Sequence, residues 1–204
     1  MKQIVKTSLA VSTSVVAVVG LVVAPTFQAS ALTGTSNTTI TATVAPALSV
    51  SSGASVLFTM TPATFGAVAE SNNSNVITVS TNNYTGYNLK LKDSDATLTL
   101  TGTHGSIPVS TNTFASPALL ATNSWGYGIA GVGTFSGAYS SQTDVTTSTL
   151  KYAGILATDV TLKTTAVTAN ADTTTVWYAA KIDTATATGT DYADTVTYTA
   201  TTNP

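Results

Sequence analysis

Apolar and polar positions alternate with a period of two along much of this chain, as half-buried strands require. Residues 39–44 read T-I-T-A-T-V, and residues 75–80 read N-V-I-T-V-S. Between 84 and 92, Tyr87, Leu89 and Leu91 fall on one face, with Asn88, Lys90 and Lys92 on the other. Residues 96–101, A-T-L-T-L-T, repeat the pattern, and residues 56–60, V-L-F-T-M, form a denser apolar run ended by Pro62. Residues 125–129 predict a strand in which Gly126 and Gly128 mark a bulge or a close backbone approach. Residues 159–164, 175–182 and 192–201 alternate again, and the turn at 184–189 predicts that 176–200 folds as a hairpin. Residues 102–117 and 131–141 are dense in turn formers and are expected to be loops, the first with one short strand near 107–109.

No stretch holds a 3.6-residue period over three turns. About nine short strands separated by turns predict an all-β chain, a single antiparallel β-sandwich of immunoglobulin-like kind or a related barrel.

The first thirty-one residues stand outside this pattern. Lys2 and Lys6 precede an apolar run over 9–23, and Ala29-Ser30-Ala31 supplies a small-residue cleavage site. Residues 1–31 are expected to be a secretory signal peptide and 32–204 one surface domain, with no membrane attachment after cleavage. The chain has no cysteine, so neither disulfides nor thiolate zinc sites are expected. The domain keeps five lysines against nine acidic residues, a formal charge of −4, and no arginine. A phosphate-binding basic face cannot be built from that inventory, which argues against nucleic acid as a partner.

Candidate chemistry is sparse. His104 is the only histidine, placed in an expected loop with no acid near it in sequence, and Ser or Thr nucleophiles need such a base. Glu70 is the single glutamate and is read in a Ser/Asn-rich turn. Asp93 and Asp95 form the tightest acidic pair, at an expected hairpin tip where turn chemistry accounts for both. A calcium site is the alternative at that tip, and Asp183, Asp191 and Asp194 flank another turn. The expectation is no enzyme, no cofactor and no metal ligand. Lys90 and Lys181 are the lysines weighed as isopeptide donors.

Aromatic residues are the most suggestive side chains. Trp177 or Tyr178, and Tyr198, are expected in the core. Trp125 and Tyr127, beside glycine-rich loops, are candidate surface-binding residues.

Three stretches, in order, resemble the WxL-type cell-wall domain of Gram-positive surface proteins. They are Thr64-Phe65-Gly66-Ala67-Val68, then V-S-T-N-N-Y-T-G-Y-N-L-K-L at 79–91, and Y-A-D-T-V-T-Y-T-A-T-T-N-P at 192–204. Tyr87 and Tyr198 stand where the two signature tryptophans would be, and Ala200 where the second leucine would be. The resemblance implies a cell-surface β-sandwich bound non-covalently to peptidoglycan, with Tyr87 and Tyr198 as further candidate surface-binding residues.

The leading expectation is a secreted, extracellular bacterial cell-surface structural or adhesion protein, partnered by cell-wall peptidoglycan or by a surface glycan or protein. Its loops at 102–124 and 131–149 would be presented to that partner. One alternative is a pilus- or coat-like fibre subunit self-assembling by strand exchange, with 39–44 as donor. A second alternative is a carbohydrate-binding module that stacks sugars on Trp125.

Overall fold

The computed structural model describes residues 34–204; the expected signal peptide lies outside the described residues. Residues 34–42 belong to a unit separate from the body that begins at Thr43. They are exposed and form no strand. The strand expected at 39–44 is therefore not formed. Alternation alone does not make a strand, because its backbone groups need a partner ladder.

Ten strands make up the body: β1 (Leu48–Ser51), β2 (Val68–Thr81), β3 (Tyr87–Asp93), β4 (Thr99–Gly102), β5 (Gly105–Pro108), β6 (Ser124–Ile129), β7 (Gln142–Val145), β8 (Val160–Thr164), β9 (Ala169–Asp183) and β10 (Val196–Thr202). The described residues contain no helix. One antiparallel sheet runs β1-β2-β9-β6, with β7 sharing the β1 edge of β2; a second runs β10-β3-β8, and β4 and β5 form a hairpin. The two larger sheets pack into a β-sandwich.

The core follows from the alternation. Ile77 and Val79 from β2, Tyr87, Leu89 and Leu91 from β3, Trp125, Tyr127 and Ile129 from β6, and Val176, Tyr178, Ala180 and Ile182 from β9 form one buried cluster. Each fully buried Val, Leu or Ile among them contributes roughly 1.5–3 kcal/mol on burial. The outer face of the larger sheet is covered as well. Leu120, Leu150 and Tyr152 pack over Ala179, joined by Tyr139 and Trp177, whose rings stack at 5.9 Å and 17°.

Three expectations change at this level. Residues 56–60 form no strand, and the loop holding them is tied to β2 through Asn73 Nδ2 and the Leu57 carbonyl at 2.9 Å. The region around Glu70 is strand, not turn, because β9 pairs with β2 over its whole length, from Val68 opposite Asp183 to Thr81 opposite Ala169. The hairpin over 176–200 does not form either. β9 lies in the larger sheet and β10 in the smaller, so residues 184–195 cross between layers.

The β2–β3 turn gathers both ends of the body. Asn82 Oδ1 accepts from the Ala47 amide at 2.6 Å, Asn82 Nδ2 donates to the Ala45 carbonyl at 3.1 Å, and Thr81 Oγ1 donates to the Ala47 carbonyl at 2.7 Å. At the other terminus, Asn83 Nδ2 donates to the Asn203 carbonyl at 2.8 Å, and the Asn203 amide donates to the Gly86 carbonyl at 3.0 Å. Asn203 Nδ2 also donates to the carbonyls of Thr85 and Thr165, at 2.7 and 2.6 Å.

Gly86 sits in this turn at φ +83°, and a Cβ there would strike the Thr165 carbonyl. Gly86→Ala should cost about 2–4 kcal/mol, read as a lower urea midpoint with an unchanged m-value.

Candidate functional site

Three of the four candidate surface-binding residues are buried and present no ring to solvent. Trp125, Tyr127 and Tyr87 are 2%, 1% and 0% exposed. Tyr198 is half-buried, with its hydroxyl 2.5 Å from that of Tyr178, and burial pushes it up to about 12. Burial also raises Tyr87, whose hydroxyl donates to Asp172 Oδ2 at 2.8 Å. Lys163 grips the other oxygen of Asp172 at 2.7 Å. Burial disfavours the Asp172 carboxylate, and these two partners outweigh it and hold the group below its ordinary range.

The glycines of β6 explain why its aromatics point inward. A Cβ at Gly126 would strike the Ala153 carbonyl, and one at Gly128 the Tyr139 hydroxyl. Residues 152–154 thus cover the outer face, and Trp125 and Tyr127 turn to the core. Tyr127 lines an apolar recess of about 160 Å³ with Val109, Phe114 and Ile155, smaller than the roughly 300 Å³ of an ordinary ligand pocket.

The loops expected to face partners are pinned. Residues 102–124 contain β5, and Asn112 Nδ2 donates to the carbonyls of Ala118, Leu119 and Tyr152, each at 3.1 Å. Residues 131–149 contain β7, whose Gln142 amide donates to Asn72 Oδ1 at 2.7 Å. Parts of both remain exposed, and residues 102–124 reach the pole opposite the β2–β3 turn through Thr103 and Asn123. There the starts of β2, β6 and β10 meet the ends of β3 and β9.

That pole is tied together by side chains. Asn123 exchanges two bonds with Asp183, at 3.1 and 2.9 Å. Thr184 Oγ1 accepts from the Gly66 amide at 2.9 Å, and Asp191 Oδ2 accepts from the Thr103 amide at 2.7 Å. His104 therefore has an acid close by after all, although Asp191 bonds its neighbour Thr103. The segment read as an early F-G strand is a turn, closed by Ala67 N–H on the Thr64 carbonyl at 2.9 Å. Gly66 takes φ +85°, and Phe65 is 96% exposed.

Glu70, 1% exposed, stands opposite Lys181 with 3.9 Å between the charged atoms. Burial raises Glu70, opposed by Ser148 and Lys181. Lys90 lies 3.6 Å from Asp159. Both lysines weighed as cross-link donors thus face carboxylates.

No family model matches the chain, and neither a curated protein nor a solved structure matches it.

Two predictions follow from burial. Tyr87→Ala and Trp125→Ala should each cost about 3–5 kcal/mol, so any binding lost in them should track lost folding by circular dichroism. Lys181→Met should cost about 3–5 kcal/mol near neutral pH. The raised Glu70 then binds a proton more readily when folded, so stability falls as pH rises above its ordinary value, and the deficit should shrink at about pH 5 in parallel urea titrations.

Proposed function

We propose that this chain is a secreted bacterial cell-surface structural and adhesive domain, held non-covalently at the wall. One observation carries the reading: the ends of the body meet at the β2–β3 turn, while the opposite pole carries mutually bonded loops topped by exposed Phe65. Mutually bonded loops at that pole are preorganised, so they bind a partner with little ordering cost. Low charge with abundant Thr, Ser and Asn suits hydrogen bonding to glycan or peptide. The carbohydrate-binding alternative loses the platform on which it rested, since Trp125 is buried.

The fibre-subunit reading rests on a separate observation. Ile40 and Val44 are 90% and 82% exposed in an alternating segment without strand partners. Such a segment can complete a sheet edge of another copy.

Co-sedimentation with purified peptidoglycan sacculi tests the leading reading. The protein should pellet, and Phe65→Ser should reduce pelleting at least about tenfold while leaving Tm within the small range typical of surface substitutions. Protein that stays in the supernatant overturns wall binding. Concentration-dependent filaments, lost on deleting 32–44, would favour the fibre.

A further inference from the structure

The register of β10 against β3 pairs Val196 with Asp93. The next backbone bond, Ser94 N–H to the Thr195 carbonyl at 2.9 Å, continues the ladder. Just beyond that bond, outside both strands, come Asp95 and Asp194. Like charges held close together disfavour each other, and Asp93 adds a third carboxylate. Oxygens from all three lie within 4.8 Å of one another.

Each carboxylate is aimed by one oxygen. Oδ1 of Asp93 accepts from the Asp95 amide at 2.9 Å, Oδ1 of Asp95 from the Thr97 amide at 2.6 Å, and Oδ1 of Asp194 from the Thr195 amide at 2.6 Å. The second oxygens of Asp93 and Asp194 are buried and have no hydrogen-bond partner. Asp93 is only 1% exposed. A buried, unpaired carboxylate oxygen is costly, and two of them facing a third carboxylate call for a cation.

We propose that Asp93, Asp95 and Asp194 form a calcium site that locks the β3–β10 ladder at the loop-bearing pole. Calcium takes oxygen ligands at about 2.3–2.6 Å and fills six to eight positions. Oxygens sharing one ion are then no more than about 5 Å apart, as these are. Water completes the shell on the exposed side of Asp95. Magnesium fits less well, because it demands near-octahedral geometry and gives up water reluctantly. With three protein carboxylates, affinity falls in the range of extracellular modules, with Kd about 10⁻⁴–10⁻³ M.

Thermal unfolding of chelator-treated protein near neutral pH tests the site. Adding calcium to about 10 mM should raise Tm by roughly 3–10 °C over sodium chloride of equal ionic strength. Asp95→Asn and Asp194→Asn each keep an oxygen for the Thr97 or Thr195 amide, and so preserve the local fold. Both should lose the calcium response, and chelated Asp194→Asn should melt above chelated wild type because the repulsion is gone. No calcium-specific rise, or the same rise in Asp95→Asn, overturns the site. An equal rise with magnesium overturns its assignment to calcium.

Discussion

The β2–β3 turn is the point through which the whole sandwich is closed. β2 belongs to the larger sheet and β3 to the smaller, so this connection sets how the layers meet. Its side chains then stand in for a missing strand on each flank. Asn82 pairs with the backbone of residues 45–47, and Asn83 with that of Asn203. A side-chain amide carries both a donor and an acceptor, so it can replace a peptide unit in a ladder. Without these bonds, the outer strands β1 and β10 would end in frayed backbone. Burial alone holds β1 weakly, since every one of its residues is exposed.

The same device recurs along β2. Asn75 exchanges bonds of 2.8 and 3.2 Å with the amide and carbonyl of Gly53, and Asn72 joins the Gln142 amide to the Tyr152 hydroxyl. Asparagine is a poor strand former, and a run of Ser and Asn ordinarily signals a loop. Here the run survives as strand because β9 supplies a full ladder on one side and loops dock on the other through side-chain amides. In a chain with 8% charged residues, amides and hydroxyls supply the directional contacts that fix the loops in place.

That explains which parts of the fold were legible. β3, β6 and β9 were readable because their apolar faces are buried on the period that the residues display. β2 was readable only from residue 75 onward, because its first half is held by partners as distant along the chain as Asp183. Residues 39–44 and 176–200 misled for the opposite reason. Alternation states that a segment can pair, and says nothing of whether a neighbour is there or which sheet it joins. The aromatic residues misled through facing. Trp125 and Tyr127 beside glycines look like exposed platforms until Ala153 and Tyr139 are seen occupying the space the glycines leave. The Asp93–Asp95–Asp194 grouping needed the β3–β10 register, which no local signal carries.

The two poles therefore differ in kind. At the β2–β3 turn, neutral amides and hydroxyls make most of the contacts, beside one ion pair, Lys163 with Asp172, that the Tyr87 hydroxyl joins. At the opposite pole, acidic side chains hold the loops, through Asp183 on Asn123 and Asp191 on Thr103. Carboxylates gathered at one end repel each other, and that repulsion depends on protons and cations in the surrounding medium. The pole that closes the fold thus rests mainly on neutral bonds, and the opposite pole mainly on charged ones. Such a division leaves the loops at the acidic pole more sensitive to external ions than the neutral bonds that close the sandwich.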